Sequence, residues 1–260
     1  MQDDLKIALI QSDLVWENPE QNRLNFTKKI NTISHSVDVI ILPEMFTSGF
    51  TMHPKDVAET MDGITVSWMK NMASKINAAI TGSIVIKHGE NYFNRLLFVT
   101  PTGEIMYYDK RHTFTLAGED KVYTAGSKKI VITYKGWKIC PLICYDLRFP
   151  VWARNTEGYD VLIYVANWPK PRIDAWNALL KARAIENMSY CIGVNRVGLD
   201  AENNTYNGCS AVYDVLGEKL TDLQLNQEDI QMVNLSKNHI NIYRNTLKFL
   251  EDRDDFSLLK

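Results

Sequence analysis

The sequence lacks the features of several large protein classes. No apolar run approaches the roughly 18 residues that a membrane-spanning helix needs. The start, MQDD, is acidic where a secretory signal needs positive charge. Acidic and basic residues nearly cancel, giving a net charge of −2, and no basic block is longer than two residues. We therefore expect neither a nucleic acid nor a membrane as a partner.

Several catalytic motifs are also missing. The sequence contains no HExxH, Walker, GxSxG or strand-linked GxGxxG motif, which removes support for zinc proteases, phosphate-binding proteins and serine hydrolases. Its four cysteines have no metal-binding spacing. Cys140 and Cys144 lie four residues apart on one predicted strand, at about 13 Å, which is too far for a disulfide. We expect a reduced, cytoplasmic protein.

Strand-length apolar runs alternate with helical patterns along the chain. Strands are predicted at 6–11, 39–42, 79–87, 95–100, 105–109, 129–134, 137–143, 161–166, 190–197, 208–214 and 230–235. One helix is predicted to start at residue 19, and its apolar stripe continues to residue 37. Further helices are predicted at 66–77, 149–157, 172–187 and 237–251. Helices between buried strands predict an α/β fold. With no linker and no repeat, we expect a single domain over 1–260.

Four polar residues follow directly on apolar strands. They are Glu44, Lys110, Cys144 and Asn167. Ligands of α/β folds bind at the carboxyl ends of the strands, so these side chains are expected to meet. Pro141 inside its strand predicts an edge or a bulge just before the cysteine.

An acid, an amine and a thiol together suit acyl transfer. A lone cysteine is most often a small core residue. A thiol is mostly protonated at neutral pH, so a nucleophilic Cys144 needs help. Glu44 could accept its proton, and Lys110 could stabilise an oxyanion. A cysteine–histidine pair is the competing arrangement, and only His112 lies near a strand end.

The chain resembles the nitrilase superfamily, the carbon–nitrogen hydrolases, over nearly its whole length. The matching segments occur in the family's order: LPEMFTSGF, YDKRHTF, LAGE and LICYDLRFP, followed by ANWP and WNALLKARAIEN. Any one of them alone would be weak evidence. Three separated motifs in one order make the resemblance specific.

The resemblance implies an αββα sandwich that forms a homodimer and needs no cofactor or metal. It implies Cys144 as nucleophile, Glu44 as general base and Lys110 as oxyanion donor. Glu119 matches the glutamate that orients the lysine and the substrate nitrogen. The backbone N–H of Tyr145 would be a second oxyanion donor. A thioester would form, ammonia would leave, and water would release the acid.

TSGF and RFPVWARN are most similar to the omega-amidase branch, whose substrates are 2-oxoglutaramate and 2-oxosuccinamate. Many relatives have glutamate after RFP, where this chain has Val151. The substrate carboxylate needs a cation, and Arg148 and Arg172 are the candidates. Arg148 could instead pair with Asp146, and Arg172 could simply open its helix. Aromatic residues that could wall the pocket are Phe114, Trp168 and Trp176.

Other functions remain open from the sequence. Nitrilases, N-carbamoyl hydrolases and acyltransferases use the same Glu-Lys-Cys set. A thiol redox or sensing protein would use Cys140 and Cys144. A binding protein with an inactive site is a further alternative, although all three residues of the set are present.

Overall fold

The computed structural model describes residues 3–258. Within that range the strands are β1 (Asp4–Gln11), β2 (Val39–Ile41), β3 (Ala79–His88), β4 (Asn91–Val99), β5 (Ile105–Asp109), β6 (Ile132–Tyr134), β7 (Trp137–Ile143), β8 (Val161–Ala166), β9 (Tyr190–Asn195), β10 (Val197–Leu199), β11 (Thr205–Asn207), β12 (Ala211–Tyr213) and β13 (Asp229–Ser236). The helices are α1 (Pro19–Asn31), α2 (Pro54–Val57), α3 (Ile64–Ile76), α4 (Glu119–Val122), α5 (Pro150–Ala153), α6 (Ile173–Asn187) and α7 (Lys237–Leu247). None of the helices in this range is long and apolar enough to cross a bilayer.

Two sheets carry the fold. The six-stranded sheet has the order β13-β1-β2-β3-β4-β5, and the five-stranded sheet has the order β12-β9-β8-β7-β6. The central strands of each sheet, β1-β2-β3 and β7-β8-β9, are parallel, and the outer strands pair antiparallel. Parallel central strands are buried on both faces, which explains their nearly continuous apolar runs.

Alternation along the strands separates two cores. Ala8 and Ile10 of β1 pack with Phe26 of α1 and with α3, whereas Ile7 and Leu9 face the other way. The core that contains Ile7 and Leu9 also contains the second sheet and the apolar face of α6. The layers are therefore helix, sheet, sheet and helix. The expected α/β sandwich is confirmed.

Most predicted elements form, and the exceptions have local causes. Asn18 caps α1 as predicted, its side chain accepting from the N–H of Gln21. The helix predicted at 149–157 is only α5, because the chain leaves it to pair Asn155 with Tyr159 and Asn187. The last helix stops at Leu247, after which Lys248 adopts a left-handed conformation. The strand predicted from residue 129 begins at Ile132.

Pro141 lies in an interior strand, so the prediction of an edge strand is wrong for β7 as a whole. β7 is flanked by β8 and β6. The ladder with β6 extends only to Ile139, however, and Pro141 lies beyond it, in register with Ile163 of β8. The proline therefore occupies a stretch of β7 past the β6 ladder, where a missing N–H costs no pairing on that side.

Gly193 sets the distance between α6 and the second sheet. A Cβ at Gly193 would lie 2.4 Å from Leu180 and 2.6 Å from the Trp176 ring. We expect Gly193→Ala to lower the free energy of unfolding by about 1–3 kcal/mol through this overlap, measured by denaturant titration. Combining it with Leu180→Ala should cost less than the sum of the two changes, and strict additivity would contradict the packing argument.

Candidate active site

The polar residues that follow the strands share one cavity. Glu44, Lys110, Cys144 and Asn167 all line a cavity of about 200 Å³ at the strand ends. The rest of its wall is formed by Phe50, Phe114, Leu116, Ala117, Tyr145, Arg148, Trp168, Pro169, Arg172, Asn204 and Tyr206. Glu44 and Lys110 come from the six-stranded sheet, and Cys144 and Asn167 from the five-stranded sheet. The cavity therefore opens where the two sheets meet.

Cys144 stands on a sharp turn between β7 and a short 3₁₀ helix. Its φ of +42° is in the left-handed region, which is strained for a residue with a side chain. The buried Asp146 carboxylate fixes the turn by accepting the Ile143 N–H at 3.0 Å and the Tyr108 hydroxyl at 2.8 Å. The turn directs the thiol into the cavity, and Sγ lies 4.0 Å from the Asn167 carbonyl oxygen.

Lys110 is a buried ammonium held by two carboxylates. Its Nζ lies 2.9 Å from Glu44 Oε1 and 2.8 Å from Glu119 Oε2. Nζ also lies 5.0 Å above the ring of Phe50. Burial alone lowers the pKa of a lysine, but the charges of Glu119 and Glu44 more than offset it and raise the pKa of Lys110. Lys110 therefore remains a cation throughout the physiological range.

Two asparagines hold the Glu44 carboxylate. The amide of Asn94 donates to Glu44 Oε1 at 2.8 Å and to Glu119 Oε1 at 3.3 Å. The backbone N–H of Asn167 donates to Glu44 Oε2 at 2.8 Å, and its side chain donates to the Glu44 carbonyl at 2.7 Å. Each Glu44 oxygen thus has a fixed donor, which restricts the carboxylate to one orientation beside Lys110.

Burial and the charges of this cluster keep Cys144 protonated at rest. Glu44 and Glu119 face a single ammonium, so a thiolate would add negative charge to a site that already holds an excess. Burial, and after it the charge of Glu44, raises the pKa of the Cys144 thiol well above its usual value. Burial likewise raises the pKa of Glu119. Nucleophilic attack by this thiol therefore requires a base at the moment of reaction.

Comparison with known proteins places most of the chain in one family. A sequence model of the carbon-nitrogen hydrolase family matches residues 6–245. The chain belongs to the carbon–nitrogen hydrolase family. The predicted membership in the nitrilase superfamily is thereby confirmed. The protein is therefore an enzyme that hydrolyses C–N bonds.

Similar proteins match over most of their length. "Omega-amidase YafV" of Escherichia coli K12 is 43% identical over 98% of both chains. "2-Oxoglutaramate amidase" of Bacillus subtilis is 34% identical over 83% of this chain and 85% of its own. The crystal structure of XC1258 from Xanthomonas campestris, a CN-hydrolase superfamily protein with an arsenic adduct in the active site, is 41% identical. It covers 99% of this hydrolase and 100% of its own chain at a TM-score of 0.96.

The remaining sequence-predicted residues lie behind Lys110, in the cavity wall or behind that wall. Glu119 lies behind Lys110, fully buried, and its Oε2 accepts the Phe114 N–H. Tyr145, Arg148, Arg172, Phe114 and Trp168 line the cavity of the hydrolase. Trp176 does not line the cavity in the described structure. It supports Trp168 from behind, with ring centroids 5.5 Å apart.

The predicted alternative that Arg148 pairs with Asp146 is wrong. Asp146 is fully buried and its carboxylate is taken up by Tyr108, the Ile143 N–H and His112, whose Nδ1 lies 2.8 Å away. His112 also stacks on Phe149 at 3.7 Å and does not line the cavity. This position disfavours His112 as the base and gives it a role in fixing the turn of Cys144.

Three polar contributors to the site were missed by the sequence reasoning. Asn94 lies within β4 rather than at a strand end, and Asn204 and Tyr206 come from the β10–β11 hairpin. The strand-end pattern cannot find such residues. Asn94 stands one residue before the predicted strand 95–100, so no sequence pattern marked it as a buried amide with several hydrogen-bond partners.

Cys140 is unsuited to thiol chemistry. It is fully buried in β7, and burial raises the pKa of its thiol to about 12. Cys140 and Cys144 are both free thiols. Redox pairing of these two cysteines, one of the alternatives from the sequence, has no support in this arrangement.

The raised pKa of the Cys144 thiol predicts how its alkylation rate depends on pH. Because burial and Glu44 raise the pKa of Cys144, we expect its alkylation by iodoacetamide to accelerate beyond the usual thiol pKa of about 8.5. Glu44→Gln should shift the profile to lower pH, since it removes the nearby negative charge. Intact-protein mass spectrometry measures the rate, and Cys144→Ala corrects for labelling elsewhere. A rate that levels off below pH 7 would contradict the charge argument.

Proposed function

We propose that this carbon–nitrogen hydrolase releases ammonia from the terminal amide of small 2-oxo acids, such as 2-oxoglutaramate and 2-oxosuccinamate. The observation that carries the proposal is the shared cavity of Cys144, Glu44 and Lys110, walled further out by Arg148 and Arg172. The names of the relatives at 43% and 34% identity, omega-amidase and 2-oxoglutaramate amidase, support the same substrate class.

The first half of the reaction forms a thioester. As Sγ of Cys144 attacks the amide carbon, Glu44 accepts the thiol proton, so no free thiolate accumulates. The carbonyl oxygen becomes an oxyanion, which Lys110 Nζ and the Tyr145 N–H stabilise. Glu44 then gives the proton to the amide nitrogen, the C–N bond breaks, and ammonia leaves. The acyl group remains on Cys144.

The second half returns the enzyme to its starting state. Glu44 takes a proton from water, and the hydroxide attacks the thioester carbon. The same oxyanion donors stabilise the second tetrahedral intermediate. The C–S bond breaks and the thiol recovers its proton from Glu44. Glu119 acts mainly through Lys110, because it holds Nζ at 2.8 Å and so fixes where the oxyanion donor points.

Two substitutions test this mechanism. Cys144→Ala should abolish ammonia release from 2-oxoglutaramate, because no acyl acceptor remains. Lys110→Met, which keeps the length of the side chain, should lower kcat by about 10²–10³-fold through loss of one oxyanion donor. A coupled ammonia assay measures both. Robust turnover by Cys144→Ala would rule out the thioester route, and mass spectrometry of the acyl–Cys144 species identifies the acyl group.

The proposal extends to a cytoplasmic homodimer. All four cysteines are free thiols, which suits a reducing compartment. Exposed apolar side chains gather around α5, the end of α6 and the C-terminal segment, where Val151, Ile185, Phe249 and Phe256 line one cleft. A patch of this kind is typical of a protein interface, and a second copy of the chain would cover it through two-fold symmetry.

A charge placed on this face should separate the subunits. Ile185 is 42% exposed, and Ile185→Glu would put a carboxylate into the dimer contact. We expect light scattering after size-exclusion chromatography to give the dimer mass for the wild type and the monomer mass for this variant. Ile64→Glu is the matched control, since Ile64 is 69% exposed at the start of α3. A dimer that survives Ile185→Glu would place the interface elsewhere.

A further inference from the structure

Two arginines line the cavity without an acidic partner. Among residues 3–258, no carboxylate forms an ion pair with the guanidinium of Arg148 or Arg172. The contact that each makes instead is with an aromatic ring of the cavity wall. Two guanidinium groups that line one small cavity and have no carboxylate partner are free to donate to a ligand with negative charge or hydrogen-bond acceptors.

Arg148 rests on a rigid platform. Its guanidinium carbon lies 4.8 Å from the centre of the Trp168 ring. The backbone of Trp168 is fixed by Asn195, which accepts its N–H at 2.8 Å and donates to its carbonyl at 2.9 Å. The indole N–H of Trp168 donates to the Arg172 carbonyl at 2.7 Å. The platform of one arginine is thus bonded to the backbone of the other.

Arg172 lines the same cavity beside a different aromatic ring. Its guanidinium carbon lies 5.2 Å from the centre of the Phe114 ring. Phe114 packs edge-on against Tyr145 at 4.9 Å, and Tyr145 directly follows Cys144. Phe114 therefore connects the Arg172 guanidinium to the immediate surroundings of the nucleophile.

The charges along the cavity have opposite signs at its two ends. Among the described residues, Glu44 is the only acidic one in its wall, and its carboxylate is already bound by Lys110 and Asn167. The outer wall holds Arg148 and Arg172 with neutral neighbours. A substrate group at that end meets two positive charges, of which Arg148 is exposed to solvent and Arg172 is half-buried.

We propose that Arg148 and Arg172 act together as a guanidinium pair that selects 2-oxo acid amides over 2-amino acid amides. The inference rests on the proposed amidase function. The carboxylate and the 2-oxo group of 2-oxoglutaramate are both acceptors, so each can receive N–H donors from the pair. L-Glutamine has the same amide and carbon chain, but its 2-ammonium group accepts no hydrogen bond and is repelled by both guanidinium groups.

The pair is tested by comparing three amides of five carbons. They are 2-oxoglutaramate, L-glutamine and pentanamide, which has neither carboxylate nor 2-substituent. We expect Arg148→Gln and Arg172→Gln each to lower kcat/KM for 2-oxoglutaramate by about 10–100-fold, chiefly through KM. The preference over glutamine should fall in both variants, while kcat/KM for pentanamide stays within a few-fold.

Controls separate a local effect from misfolding. Lys170→Gln removes a positive charge from the exposed turn before α6, outside the cavity wall, and should leave all three values unchanged. Arg172→Lys keeps the charge and should retain part of the preference over glutamine. The rate of Cys144 alkylation shows that the inner site of each variant is intact.

The outcomes distinguish the pair from the proposed function. A preference over glutamine that persists in both glutamine variants, with wild-type turnover of 2-oxoglutaramate, would overturn the pair alone. The pair is also overturned if only one of the two arginines affects the preference. If the wild type turns over neither charged amide although Cys144 alkylates normally, the proposed function fails and the pair with it.

Discussion

One buried ammonium, Lys110, organises the active site. Removing two carboxylates from water is costly, and Glu44 and Glu119 are both fully buried beside Nζ. Lys110 and the Asn94 amide bind both of them, and backbone N–H groups donate to each carboxylate as well. Burial, and after it the charge of Glu44, raises the pKa of Cys144, so attack by the thiol needs a proton acceptor. The protonation state of the thiol thus depends on its burial and on the carboxylates that pair with Lys110.

The geometry of this cluster depends on the packing of two sheets. Glu44 and Lys110 follow β2 and β5 of one sheet, whereas Cys144 and Asn167 follow β7 and β8 of the other. Hydrogen bonds from Asn167 to Glu44 join the two sides directly. The apolar core between the sheets therefore determines how far Sγ lies from the base. A close-packed interior holds such distances well, since it yields little to strain.

Sequence reasoning located the polar residues that meet at the ends of strands and missed those that meet only through tertiary contacts. Cys144, Glu44 and Lys110 were readable because each interrupts an apolar run, and the strands themselves follow from periodicity. Asn94 was not readable, because it lies inside β4 and its partners are distant in sequence. Because Arg148 is close to Asp146 in sequence, an ion pair between them was predicted. In the folded chain the Asp146 carboxylate is buried and bonds to Tyr108 and His112 instead.

In the proposed function, opposite charges at the two ends of the cavity would also orient the substrate. The inner end holds more carboxylate than ammonium, so a carboxylate that entered first would be repelled by Glu44 and Glu119. The guanidinium groups of Arg148 and Arg172 attract that carboxylate at the outer end. The neutral amide is then the group left to approach Cys144. The arginines that would set the orientation take no part in bond cleavage. Substrate orientation and bond cleavage therefore depend on separate residues of the same small cavity.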